Sequence, residues 1–291
     1  RLSLVGSEMC IRDRCRNAQV KKVAIPKGKN EYKINSTKIV AFGISHSKEE
    51  MELSLCTDVY NKLYDVKENI DLVNSLQDTG FDKMLIMQKI FPNDTKESWE
   101  IGEAYAQAYA ESNLSAIIPW GITRDIKKPG SSLPGADIIG LYRHDSGTYF
   151  LFGEIKTSSD KNCPPGVMYG EHGLKNQLED LCQKKELTSQ LVKYLAHRLK
   201  GGTLWPQYTE AFIKYMYSDQ KAVHILGILV RDIMPSKEDL NTRAKALEKF
   251  AVGDRTIELV GIYVPKDELK KFPQFIQEER GRRSISNVRK E

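Results

Sequence analysis

PGADIIGLYRHDSGTYFLFGEIKTSS, residues 134–159, decides how this chain is read. Two apolar runs, ADIIGLY (136–142) and YFLFGEIK (149–156), flank Asp145-Ser146-Gly147. Runs of that length around a short polar turn with glycine predict a β-hairpin. If Tyr142 faces Tyr149, every facing pair of residue numbers sums to 291, and Asp137 falls opposite Glu154. Facing residues have Cβ atoms ~4.5–5.5 Å apart. Strand side chains repeat with period two, so Lys156 shares a face with Glu154. Two carboxylates and an ammonium therefore converge at one end of the hairpin, beside Ile138, Ile139, Phe150, Phe152 and Ile155. Facing like charges repel unless something neutralises them. A hard cation such as Mg²⁺ (or Mn²⁺) does so, and Mg²⁺ takes one or two carboxylates together with water and phosphate oxygens. A structural ion pair within a hairpin fits the same short pattern, and that alternative stays open.

Outward from the hairpin, helical spacing predicts a helix over Ser98–Ser112 on one side and a long helix over Gly173–Lys200 on the other. AVHILGILV (222–230) and TIELVGIYVP (256–265) predict buried strands, with a helix over Ser236–Phe250 between them and Ser236 as its N-cap. A short helix over Asp267–Gln277 precedes a basic flexible tail, 280–291. Towards the N-terminus, VKKVAI (20–25) and TKIVAFGI (37–44) predict strands around the polar GKNEYKINS. A helix over 47–76, interrupted near Asp65, follows, and MLIMQKIF (84–91) fits strand or helix. Helices alternating with strands imply an α/β fold with helices packed on one sheet. The expected organisation is an α/β domain over 93–279 and an α+β extension over 15–92, either an added subdomain or a continuation of the sheet. Residues 1–14 have no clear period, and LVGSEMCIRDR resembles the in-frame translation of a transposon-derived sequencing adapter, so they are set apart from the fold.

Composition narrows the class. With 291 residues, 40% hydrophobic and 29% charged, the chain is neither collagen-like nor wholly disordered. No apolar run approaches the ~18–20 residues of a membrane span, so no membrane partner is expected. The five cysteines are odd in number and form no CxxC pair. That argues against a zinc ribbon or a disulfide framework and for a reducing, cytoplasmic setting. The formal charge of +5 resides at the ends: 280–291 holds five basic residues against Glu291, 1–14 carries one excess positive charge, and 15–279 balances to zero. A nucleic-acid footprint must then be a local patch or the tail. There is no GxxxxGK[ST], so the chain is not itself a P-loop motor, and no nucleophile elbow or HExxH pair.

LPGADIIGLY followed by FLFGEIKTSS resembles the signature of the PD-(D/E)xK nuclease superfamily, although Pro134 is separated from Asp137 by two residues. The resemblance implies a restriction-endonuclease-like αβββαβ core and Mg²⁺-dependent hydrolysis of phosphodiester bonds. Asp137 and Glu154 would hold the metal and Lys156 would act in catalysis. Glu103, in WEIGEAYAQAYAE, matches the acidic residue that many members carry on the first helix, as a further metal or water ligand; Glu100 and Glu111 compete for that place. Gln177, in GLKNQLEDL, resembles the glutamine of RecB-like members and would position substrate or Lys156, but Leu181 stands where those members often have Tyr. With PPGVM (164–168) and the two late strands, the stretch 90–280 is similar at finer grain to the nuclease subunits of Hachiman-type bacterial anti-phage systems, the HamA family. That similarity implies DNA as substrate and a superfamily-two helicase (HamB-like) as partner. The competing reading is a regulatory or scaffolding subunit of nuclease fold that binds helicase or nucleic acid without cutting.

Overall fold

The computed structural model describes residues 24–91, 95–121, 124 and 135–288, with side chains to Arg283. The adapter-like residues 1–14 lie outside the described residues. The hairpin folds in the expected register: β4 (Ile138–His144) and β5 (Gly147–Ser158) pair antiparallel, with Tyr142 opposite Tyr149 and His144 opposite Gly147. Gly147 takes φ +112°, which a side chain resists, so the turn needs glycine there.

Five more strands complete one mixed sheet: β1 (Lys29–Lys33), β2 (Ile39–Ser45), β3 (Ala116–Ile117), β6 (Val223–Arg231) and β7 (Thr256–Tyr263). Their order is β1-β2-β7-β6-β5-β4-β3. β5, β6, β7 and β2 run parallel, while β1 and the β4–β3 pair add antiparallel edges. All nine residues of β6 are buried, as both faces of a central parallel strand must be.

The helices, in chain order, are α1 (Lys48–Ser54), α2 (Tyr60–Leu63), α3 (Val66–Leu76), α4 (Lys83–Ile90), α5 (Ser98–Asn113), α6 (Leu174–Gln183), α7 (Lys185–Leu199), α8 (Trp205–Tyr217), α9 (Glu238–Leu247) and α10 (Phe272–Val288). A π-helical turn, Leu55–Val59, joins α1 to α2. On one sheet face Ile101 and Tyr105 of α5 join Leu151, Ile155, Ile228 and Ile262 in a core that also takes in Met51, Leu55 and Phe272. On the other, Leu174, Leu178, Leu195 and Tyr208 cover Phe150, Phe152, Ile225 and Leu259. The alternation along β5 and β6 is the strand period seen in burial. α5 comes close to β5 at Gly102, where an added Cβ would collide with the Thr157 side chain.

The structure departs from the sequence reading in several places. The first described strand is Lys29–Lys33, inside the stretch read as a polar connector, not Val20–Ile25. It pairs because Tyr32 lies over Gly43 and bonds Tyr263 Oη at 2.8 Å. The extension therefore continues the sheet: β2 is bonded along its whole length to β7. Asp65 does break the N-terminal helix, at φ +46°. The expected long helix 173–200 is two, because Lys184 is extended (ψ 90°); this lets α6 cover β5 and β6 while α7 reaches β4. Helix α8, between that pair and β6, was not foreseen. Ser236 is not a side-chain cap; its carbonyl accepts the Asp239 N–H and the Tyr263 hydroxyl. The tail from 280 is not flexible up to Val288 but continues α10. There Arg283 donates to Glu279, Asn61 and the Cys56 carbonyl and covers the Tyr60 ring. Cys163 and Cys182 are free thiols, whereas Cys56 is disulfide-bonded, a bond that the odd cysteine count did not lead one to expect. No helix among the described residues is long and apolar enough to cross a membrane.

Candidate active site

The ladder between β4 and β5 ends at the Ile138–Gly153 pair, yet β5 runs on to Ser158. Past that point β6 is the one strand neighbour of β5 among the described residues. The Asp137 side chain turns into the gap, where its Oδ2 accepts the Ile155 N–H at 2.9 Å. Asp137 thus stands at the end of the paired hairpin, partly buried. Glu154 and Lys156 follow Phe150 and Phe152 in strand parity and so belong to the α6 face. Lys156 Nζ donates to Glu154 Oε1 at 2.7 Å. Asp137 and Glu154 lie close enough for each to bear on the other's proton affinity. Glu103 reaches the same gap from α5 on the other face, within the electrostatic field of Asp137, Glu154 and Lys156.

The charges are under tension. Burial, then the charges of Asp137 and Glu154, push the Glu103 carboxyl up to about 9. Burial and Asp137 push Glu154 up to about 8, against the pull of Lys156. Burial raises Asp137 too, opposed by the Ile155 N–H, Glu154 and Lys156. Three carboxyls whose charged forms are costly without a counter-ion, offering hard oxygens, are a donor set that suits Mg²⁺ or Mn²⁺. Among the described residues no three His, Cys, Asp or Glu side chains stand in ready-made coordination positions. The fit is therefore to an ion that keeps several waters rather than to an all-protein cage.

Of the five residues singled out by sequence, four come together: Glu103, Asp137, Glu154 and Lys156. Among the first-helix acids, Glu100 is engaged with Lys96 and with the Glu97 N–H, and Glu111 with Lys62 and the Ile118 N–H, which leaves Glu103. Gln177 is not joined to the group by any hydrogen bond among the described residues; its Oε1 is buried and without a partner. It sits on α6 between Leu174 and Leu178, which rest over Gly227 on β6, one strand beyond Glu154. Lys175, on the same helix, pairs with Glu179 at 3.2 Å. The residue that sequence missed is Gln107, buried on α5 one turn after Glu103, whose Nε2 donates to the Asp137 carbonyl at 2.8 Å. The available signal was a lone amide in the alanine- and tyrosine-rich stretch of that helix.

A pH dependence follows. The folded-state affinities of Glu103 and Glu154 for protons lie above their unfolded values, so the folded chain binds more protons between ~pH 4.3 and the raised values near 8 and 9. Stability contributed by these groups is then fully present below ~pH 4.3 and falls as pH rises towards 9. Thermal melts in EDTA from pH 5 to 9 are expected to decline by several degrees through this window. Glu103→Gln should flatten the decline; a variant whose melts track the parent at every pH would contradict the assignment. No family model matches the chain, and no curated protein matches it.

Proposed function

We propose that the chain is a metal-dependent DNA nuclease that hydrolyses phosphodiester bonds, serves a bacterial anti-phage defence system and works with a superfamily-two helicase. The observation that carries the catalytic reading is the meeting of Glu103, Asp137, Glu154 and Lys156 at the open end of the hairpin. Element order agrees with it: α5, then β3, β4 and β5, then α6 and, after two further helices, β6 parallel to β5. The αβββαβ core of the PD-(D/E)xK superfamily has this succession. DNA, the helicase and the defence setting follow from the sequence resemblance to HamA.

A divalent cation held by Asp137 and Glu154, with Glu103 on its open side, would neutralise the carboxylates and polarise a phosphoryl oxygen. The chain's own residues supply the rest. Asp137 is anchored by the Ile155 N–H and stays aimed at the gap. Burial and the neighbouring carboxylates keep the Glu103 proton in place in the metal-free site; a cation held beside it would displace that proton, and the freed carboxylate could then accept one from an attacking water. Lys156 exchanges its bond to Glu154 for the non-bridging oxygens of the phosphate and stabilises the charge gathering there.

The partner has structural support in exposed apolar residues. Phe81, Met84, Leu85, Met87 and Ile90 lie open on and before α4, and Phe212, Ile213, Met216 and Tyr217 on α8. Clustered apolar exposure marks interaction surfaces. Part of the C-terminal positive charge is already committed, since Arg282 and Arg283 bind Glu279. Weak DNA attraction by the chain alone is therefore expected. The test is incubation of purified chain with labelled single- and double-stranded DNA in Mg²⁺, Mn²⁺ or EDTA, with and without helicase. Metal-dependent cutting abolished by EDTA is expected. Intact DNA under every condition would leave the scaffolding reading, and tight DNA binding at physiological salt without helicase would remove the ground for a delivering partner.

A further inference from the structure

We propose that Gln107 is a positioning residue for the metal site: it ties helix α5 to the backbone of Asp137 and so sets the distance between the two halves of the donor set. The inference rests on the metal-site reading above. Glu103 and Gln107 are four residues apart, hence one above the other on the same side of α5. Glu103 faces the carboxylates of the hairpin, and Gln107 donates from Nε2 to the Asp137 carbonyl at 2.8 Å. One rigid helix therefore carries one acidic group and grips the main chain of another. The Asp137 side chain is held independently, by the Ile155 N–H. Its position is fixed at both ends, once to the sheet and once to the helix.

That second tie has a specific use. Asp137 precedes the first residue of β4, so the paired ladder does not hold its main chain. The residue N-terminal to it, Ala136, lies outside any strand. Among the described residues, the other hydrogen bond that holds Asp137 is the one from the Ile155 N–H to its carboxylate. Gln107 is 3% exposed, so its amide is kept out of water and must find its partner within the protein. Gly102, on the same helix, closes α5 onto Thr157 of β5, so the helix carrying this tie is itself seated against the strand that bears Glu154 and Lys156. Groups that orient metal ligands without touching the ion typically change metal affinity ~10–100-fold when removed.

The experiment is Mn²⁺ binding to the full chain, followed by loss of the free-ion EPR signal, alongside Mn²⁺-dependent cleavage and thermal melting. Gln107→Met keeps the volume and removes the donor; Gln107→Glu keeps the shape and reverses the polarity at that atom. Both are expected to weaken Mn²⁺ binding by ~10-fold or more, with cleavage at saturating Mn²⁺ returning to within a few-fold of the parent for Gln107→Met. Asn113→Ala is the control: it removes a bond from the far end of α5 to the Ile25 carbonyl, and should lower the melting temperature while leaving Mn²⁺ affinity unchanged. Parent-like Mn²⁺ affinity in a folded Gln107→Met protein overturns this inference alone. An equal affinity loss in Asn113→Ala, or failure of both Gln107 variants to fold, assigns the bond a purely structural role and also overturns it. A parent chain that binds no Mn²⁺ overturns the metal reading itself.

Discussion

Lys156→Ala is expected to cut Mg²⁺-dependent cleavage by ~10²–10³, the usual cost of losing one preorganised group at a developing charge. The fold should survive, because the Lys156 side chain is 20% exposed and ends beside the open hairpin, not in a core. Its ammonium does not hold the cation; the carboxylates do. Its removal has one further effect with a definite sign. Lys156 lowers the proton affinity of Glu103, Asp137 and Glu154. Without it all three hold protons more tightly, so metal binding should weaken near pH 7 and recover at higher pH. Cleavage should not recover with it. Nicking of supercoiled DNA, with Mn²⁺ binding measured from pH 7 to 9, separates the two effects. A folded Lys156→Ala protein that cuts at the parent rate would place the active site elsewhere.

Glu154→Gln is expected to do the opposite in two respects: it loses the metal together with the activity, and it stabilises the metal-free fold above pH 8. Glu154 is buried at 3% exposure and faces Asp137, so its charged form is costly there. The amide keeps the size and can still accept from Lys156. Mn²⁺ affinity should fall by at least ~10-fold, since one of very few protein oxygens is gone. The melting temperature in EDTA at pH 8.5 should exceed that of the parent. A Glu154→Gln protein that is less stable than the parent there, with Mn²⁺ affinity intact, would identify Glu154 as a structural partner of Lys156 and nothing more.

The hairpin was legible because its turn and its two aromatic flanks fix the register. The pairing of Tyr142 with Tyr149 then carries Asp137 to Glu154 without further information. Choosing Glu103 over Glu100 and Glu111 was not legible: all three lie on one helix, and what separates them is that Lys96, four residues before Glu100, and Lys62, from a distant helix, occupy the other two. Strand β1 was hidden because Lys29–Lys33 has little apolar content, and only the seat for Tyr32 at Gly43 reveals it. The break at Lys184 was hidden for another reason: apolar spacing continues on both sides of it, and periodicity does not register one extended residue. Gln177 was read by likeness of position on a helix; that helix covers both β5 and β6, and the Gln177 amide oxygen is buried there without a hydrogen-bond partner.

The pairing of β2 with β7 along seven consecutive residues limits how the protein can be dissected. A recombinant fragment beginning at residue 93 would retain Glu103, Asp137, Glu154 and Lys156 on paper. It would also strip the neighbour from β7 and expose Ile257, Leu259, Val260 and Ile262 along a bare parallel edge. Such an edge recruits other chains. The fragment should therefore accumulate as inclusion bodies, and fusion tags or truncations that spare β2 should be the ones that yield usable protein.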